Sequence, residues 1–354
     1  MNLLCNFGFC FMTGLGWHRS RRRGRSFVLG QVIRLRAQGM SAVGLIINDR
    51  SSRVHSILGD LLHVAKQFPN VRACVLNGIE GLDKTLADLN RAGIDTLMVA
   101  GGDGTIQAAF TDAINMRRFE HEPRYVAVPC GMTNVIAADC GLKGSPIDAL
   151  DQFLWRRNQG DVKRQKRSLM GVRIGVRNVP VYGFFLGAGA FYTAVKFSRS
   201  EIQAKGARRS LAMGLTIGGA IMNAAFGEKP TEPPLLADLR STDSPFDGPQ
   251  PLTMALMTTL RRLVLGVNPF WGEGEGALAV TTIGYPARRM LAAAPSVLRG
   301  KSEPWFESAG YRSWRTDALD ADFEGTIVFD GEFLNVGRGD RVTIETTHDA
   351  EFLN

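Results

Sequence analysis

Cysteine is scarce, with only Cys5, Cys10, Cys74, Cys130 and Cys140 among 354 residues. An odd number with neither metal-ligand nor C-x-x-C spacing argues against a disulfide framework, and a reducing cytoplasm is the simplest home. Low-complexity tracts are absent. The apolar, uncharged stretch from Leu3 to Trp17 falls short of the roughly 20 residues that a membrane span needs. Its arginines follow it and no small-residue cleavage site is evident, the wrong order for a secretory signal. Acids are missing altogether from residues 1–39, which carry seven arginines (Arg19, Arg21, Arg22, Arg23, Arg25, Arg34 and Arg36). Of the 42 basic and 34 acidic side chains in the chain, 35 and 34 therefore belong to the rest. A body so nearly neutral gives little support to nucleic-acid binding.

What is present is a globular composition, 45% hydrophobic over 354 residues, enough for a substantial core and two domains. Residues 1–40 are expected to be an extension, disordered or not native, with Met40 as an alternative start. An apolar segment followed by arginines is also a physically sound peripheral anchor on anionic lipid. Residues 41–165 then alternate between strand and helix patterns. Apolar runs at Ala42–Asn48, Val71–Leu76, Ile94–Val99 and Tyr125–Val128 read as strands. Helical spacing follows each, in Val54, Ile57, Leu58, Leu61, Leu62 and Ala65, in Leu82, Leu86 and Leu89, after Thr105 and after Thr133. Such units imply a parallel, Rossmann-like sheet with helices on both faces and ligands beyond the carboxyl ends of its strands.

The stretch Val99-Ala100-Gly101-Gly102-Asp103-Gly104-Thr105 turns from strand to helix through glycines. Glycine lets backbone N–H groups approach an anion, and a helix N-terminus adds partial positive charge. A carboxylate repels phosphate, so Asp103 would either organise magnesium or hydrogen-bond the turn. An ordinary turn with Asp103 or Thr105 as helix cap explains the same residues. A second turn, Pro129-Cys130-Gly131-Met132-Thr133-Asn134, offers small polar residues at the next strand end.

Arg156 to Arg167 holds six basic residues and reads as a solvated connection between domains, or as a patch that meets anionic headgroups or ATP. Residues 166–354 change to short strands joined by Gly, Asn and Pro, an antiparallel β-rich, sandwich-like domain with helices. Ala190 to Ala225 is helical in character, and its Met213–Phe226 part reads as buried core or as the lining of an acyl pocket. Glu228 to Pro251, rich in proline, reads as an exposed loop. Strands are expected at Leu252–Leu260, Leu263–Val267 and Ala277–Ile283. Asp330-Gly331 sits between apolar runs and reads as a β-hairpin turn.

Gly-Gly-Asp-Gly-Thr at 101–105, Pro-x-Gly-x-x-Asn-x-x-Ala at 129–137 and Asp-Gly-Glu at 330–332, in that order, resemble the diacylglycerol kinase catalytic family. The likeness covers residues 42 to 346. It implies an ATP- and Mg2+-dependent lipid kinase that moves the γ-phosphoryl group to a hydroxyl of diacylglycerol or a related lipid, acting between an α/β nucleotide domain and a β-rich lipid domain. It also implies a transient visit to the membrane surface and a place in the cytoplasm, peripheral at the inner face of the membrane; a homodimer is left open. Carried over residue by residue, Gly101, Gly102, Gly104, Thr105, Gly131, Thr133 and Asn134 would cradle phosphates, joined by Asn48 and Ser51 from the first turn. Asp103 would organise magnesium, Glu332 would act as general base with Asp330 supporting its turn, and Glu275 is the nearest equivalent of a structural metal ligand. The sequence departs from the family pattern at Asp49, Ser52, Gln107, Ala108 and Met132. Two rivals stay in view, an NAD kinase-like enzyme and a catalytically silent nucleotide- or lipid-binding regulator.

Overall fold

The structure is a computed structural model that describes residues 42–117, 119–131, 133–176, 179–205, 234–263 and 266–354. The expected extension, Met132, Met213–Phe226 and residues 264–265 lie outside the described residues. The chain divides into two compact units. One runs through Lys166 and takes back Ala350–Asn354, and the other is Arg167–Asp349.

In the first unit β1 (Ala42–Asn48), β2 (Val71–Leu76), β3 (Ile94–Gly101) and β4 (Arg124–Pro129) form a parallel sheet in the order β2-β1-β3-β4. Six of the seven β1 residues are buried, as a strand covered on both faces requires. The helices α1 (Ser52–Lys66) and α5 (Pro146–Asn158) pack on the face carrying Val43, Leu45 and Ile47. On the other face, a Cβ on Gly44 would come within 2.9 Å of Leu89 from α2 (Leu82–Arg91), so the helix sits directly on that strand. The sheet continues to α3 (Asp103–Asn115) and α4 (Val135–Cys140). The last residues of the chain close the edge: Phe352 pairs with Tyr125, and Phe110 of α3 meets both rings edge-on at 4.6 and 5.6 Å.

The basic run expected as a connection is mostly ordered structure. Its first two arginines complete the last turn of α5. Arg157 is almost fully buried and donates to Asp95 at 2.6 Å, where Arg124 also pairs. Its stem packs inside while the guanidinium finds its counter-ion there. The run ends in β5 (Arg164–Ile174), the first strand shared with the second unit.

The second unit is antiparallel. Its strands are β6 (Val181–Gly183), β7 (Phe185–Gly189), β8 (Leu235–Arg240), β9 (Gln250–Thr258), β10 (Leu278–Gly284), β11 (Tyr311–Thr316), β12 (Ala318–Asp322), β13 (Gly325–Phe329), β14 (Glu332–Val336) and β15 (Arg341–Leu353). Two ladders, β14-β13-β7-β9 and β8-β12-β15, meet where β8 pairs with β9. Met170, Leu186, Leu239, Val280, Phe329 and Ile344 belong to one core between them. The helices α6 (Ala190–Lys205) and α7 (Met290–Leu298) complete the unit. The proline-rich stretch expected as a loop contains β8, because Ala237 and Leu239 turn inward in alternation with the outward Leu236, Asp238 and Arg240. No strand forms at Leu263 or at Gly266–Val267.

Candidate active site

The sheet order places a switch point between β1 and β3, whose carboxyl ends lie side by side, the usual place for a ligand crevice in an open α/β sheet. Asn48 ends β1 and is buried. Its Nδ2 donates to Thr105 Oγ1 at 2.7 Å across the switch point, and its Oδ1 accepts the Arg50 and Gly78 N–H groups at 3.1 Å each. One amide therefore ties three loops together. Ser51 stands at the N-cap of α1 without a side-chain capping bond; its N–H donates to the Asn48 carbonyl.

β3 and β4 pair Gly101 with Pro129, so both glycine turns leave the sheet at one level. The helix α3 begins with Gly102 as its N-cap, and neither Asp103 nor Thr105 caps it by a side chain. Asp103 caps the neighbouring helix instead. Its carboxylate accepts the Thr133 hydroxyl at 2.6 Å, the Val135 N–H at 3.2 Å and the Ile136 N–H at 3.3 Å. Asn134, the left-handed residue before α4, supplies no such bond. Burial raises the Asp103 carboxyl above its ordinary range, while these three donors pull it back down.

The first two N–H groups of α4 are thereby occupied, whereas the first turn of α3 leaves Asp103 and Gly104 N–H groups without a helical acceptor. A Cβ on Gly102 would meet nothing within 4 Å. A Cβ on Gly131 would lie 3.1 Å from the Gly102 Cα, so the two turns touch. The arrangement is an open backbone cradle at the mouth of α3 that an anion can fill. Burial pushes the Cys130 thiol in the second turn up to about 12, against the pull of the Arg53 cation. Burial thus disfavours the thiolate, the form that attacks.

In the second unit, Asp330 and Gly331 both take positive φ, 46° and 87°, and join β13 to β14, the geometry of a tight two-residue hairpin. The Asp330 carboxylate accepts the Phe184 and Phe185 N–H groups, each at 2.9 Å. Gly183 has to be glycine there, because a Cβ would sit 2.2 Å from Asp330 Oδ2. Arg199 of α6 donates to the Gly331 carbonyl and lies 4.3 Å over the Phe333 ring. The tip is thus clamped while the Glu332 side chain next to it is exposed.

Asn48, Gly101, Gly102, Asp103, Gly104, Thr105, Gly131, Thr133 and Asn134 come together at one end of the first unit's sheet. Asp330 and Glu332 belong to the second unit. Glu275 lies exposed on a glycine turn before β10, and no group of three His, Cys, Asp or Glu able to hold a metal ion occurs among the described residues. Sequence reasoning missed Gly78 and Arg199. The Asn77-Gly78 pair was a readable turn signal, but a helix arginine reaching a distant hairpin leaves no local trace.

Residues 42–163 match the family model for the diacylglycerol kinase catalytic domain. Two solved structures from Bacillus anthracis str. Sterne, each provisionally named a diacylglycerol kinase, resemble this chain with TM-scores of 0.61 and 0.60 at 12% and 13% identity. Each comparison covers 88% of this chain and 96% of the other. A third structure from the same organism, titled a diacylglycerol kinase, gives 0.57 at 12% identity. At such identities the likeness is one of fold, and at 88% of this chain it runs beyond residue 163. No curated protein matches the sequence.

Proposed function

We propose that this chain is an ATP-dependent lipid kinase whose acceptor is a hydroxyl of diacylglycerol or a related lipid. The observation that carries the reading is the pair of touching glycine turns at the switch point, inside a segment that matches the diacylglycerol kinase catalytic domain. Backbone N–H groups at the start of α3 would bind the phosphates of ATP, with the open side of Gly102 admitting them closely. Asn48, Thr105 and Asp103 would hold that backbone in place through bonds they already make.

ATP supplies the phosphoryl group and, with the divalent cation the family generally uses, the means to neutralise its charge. The described residues do not fit a cation cage made by protein side chains alone: no three-ligand group exists, and the Asp103 oxygens already accept three hydrogen bonds. A lipid alcohol is barely ionised at neutral pH, so a carboxylate has to accept its proton as the alcohol oxygen bonds to the γ-phosphorus and the bridging bond to ADP breaks. Glu332 is the proposed acceptor of that proton, its exposed carboxylate carried on a rigid hairpin tip. The surface of a bilayer is the proposed place of work, on the cytoplasmic side. Among the described residues no helix is long and apolar enough to cross a membrane.

The test is transfer of label from γ-labelled ATP with magnesium to a mixed lipid extract and, separately, to NAD. A labelled lipid is the expected product. Labelled NADP would replace the acceptor, and ATP binding with no labelled product would favour a silent regulator.

A further inference from the structure

The outward face of α7 departs from the rule that a surface helix turns polar residues to water. Its inward residues Ala293, Ala294 and Val297 are buried, and Ala293 and Val297 belong to a core with Met254, Ile283, Phe306 and Tyr311. The residues left outside are Leu291, Ala292 and Pro295, which recur on one helical stripe and include no polar side chain. Leu291 is 78% exposed. Ser296, the one polar residue of the helix, is turned sideways and donates to Glu303 at 2.5 Å.

The same stripe ends in cations. Arg288 and Arg289 precede the helix and Arg299 and Lys301 follow it, all exposed. None of the four makes an ion pair among the described residues. Arg289 lies 5.6 Å from the centre of the half-buried Trp305 ring, a side chain suited to the level of lipid headgroups. From Tyr285 through Arg312 the chain carries five basic residues, Arg312 included, and two acids, Glu303 and Glu307. An apolar ridge bounded at both ends by unpaired cations is complementary to a surface that is negative outside and apolar beneath.

We propose that the outward face of α7 docks this chain on an anionic bilayer, with Leu291, Ala292 and Pro295 entering the acyl boundary and Arg288, Arg289, Arg299 and Lys301 meeting headgroup phosphates. The choice of a bilayer as occupant rests on the lipid-kinase reading; the surface itself does not. It shares no residue with the glycine turns or with the Asp330-Gly331 hairpin.

The experiment is co-sedimentation of the full chain, without ATP, with vesicles of phosphatidylcholine alone and of phosphatidylcholine with phosphatidylglycerol. The expected result is binding to the anionic vesicles that salt weakens. Leu291→Asp should lower partitioning roughly tenfold, the scale of one leucine withheld from an apolar phase. The pair Arg288→Gln and Arg289→Gln should lower it by a similar factor. Leu291 contributes almost nothing to the core, so its variant should keep the parent's circular dichroism and its rate on detergent-dispersed lipid. If both variants sediment like the parent, attraction through another part of the chain, including the arginines of residues 1–39, explains binding and the proposal fails. It fails equally if no vesicle binds and Leu291→Asp abolishes a concentration-dependent dimer, because a second copy then covers the face. Vesicle binding that depends on Leu291 in a protein that phosphorylates no lipid would leave this surface standing and overturn the kinase reading instead.

Discussion

The Asp103 carboxylate accepts the Thr133 hydroxyl at 2.6 Å, which joins the turn after β3 to the turn after β4 through one buried acid. Replacing Asp103 with Ala would leave the Val135 and Ile136 N–H groups without their acceptor. Loss of a buried partner of this kind costs about 2–3 kcal/mol. A urea midpoint measured for Asp103→Ala should fall accordingly.

The same residue makes stability depend on pH. Burial raises its folded pKa above the ordinary 3.8, so the folded state holds the proton more tightly than the unfolded chain. The contribution of Asp103 is therefore complete below the unfolded value and is lost as pH rises through the folded one. Asp103→Asn cannot ionise and should lack this decline. Parallel midpoints for the two proteins, taken upward from pH 3.8, should show a gap that changes with pH; parallel curves would refute the assignment.

Asn48 and Thr105 form the second tie. Thr105→Val would strand the Asn48 Nδ2, and Asn48→Ala would strand the Arg50 and Gly78 N–H groups. Each change should cost about 1–3 kcal/mol. A double-mutant cycle should give a coupling of about 1 kcal/mol, because the side chains share one buried bond. Additive losses would mean that they act separately.

Much of this site was legible because its signals are local. Glycine spacing, the end of an apolar run and the Asp-Gly pair of the hairpin all follow from short-range backbone chemistry. Asp103 was readable as an acid out of place beside phosphate, but its partners stand about 30 residues away, where only the parallel pairing of β3 with β4 brings them. The ion pair of Arg157 with Asp95 was hidden in a basic run for the same reason, since its counter-ion arrives from another strand. Strand β8 was missed because flanking prolines outweighed a short alternation that needed β9 and β12 to become a strand. Arg199 gave no warning, as nothing in a helical arginine indicates which carbonyl it will meet.

The hairpin allows position and chemistry to be separated. Asp330→Ala removes the acceptor of two backbone N–H groups and should cost about 2–4 kcal/mol. Glu332 is exposed, so Glu332→Gln should leave the unfolding midpoint unchanged within error while phosphoryl transfer to lipid drops at least 100-fold, roughly the scale of a lost general base. Transfer at the parent rate by well-folded Glu332→Gln would remove it from the reaction.

Gly102 offers the most direct test of the nucleotide cradle. Its φ of −81° suits any L residue, and an added Cβ would find no atom within 4 Å. Gly102→Ala should therefore fold with the parent's stability. A phosphate drawn to the N–H groups of α3 would occupy the space that the methyl group takes, because close approach to backbone is what glycine permits there. The expected outcome is a loss of ATP affinity of at least tenfold in calorimetric titration, with an unchanged melting temperature for the free protein. Gly131→Ala gives the contrasting case, since its Cβ would already press on Gly102 at 3.1 Å and disturb the free protein as well. If Gly102→Ala binds ATP as tightly as the parent, the phosphates do not lie against the first turn of α3, and the cradle has to be sought elsewhere.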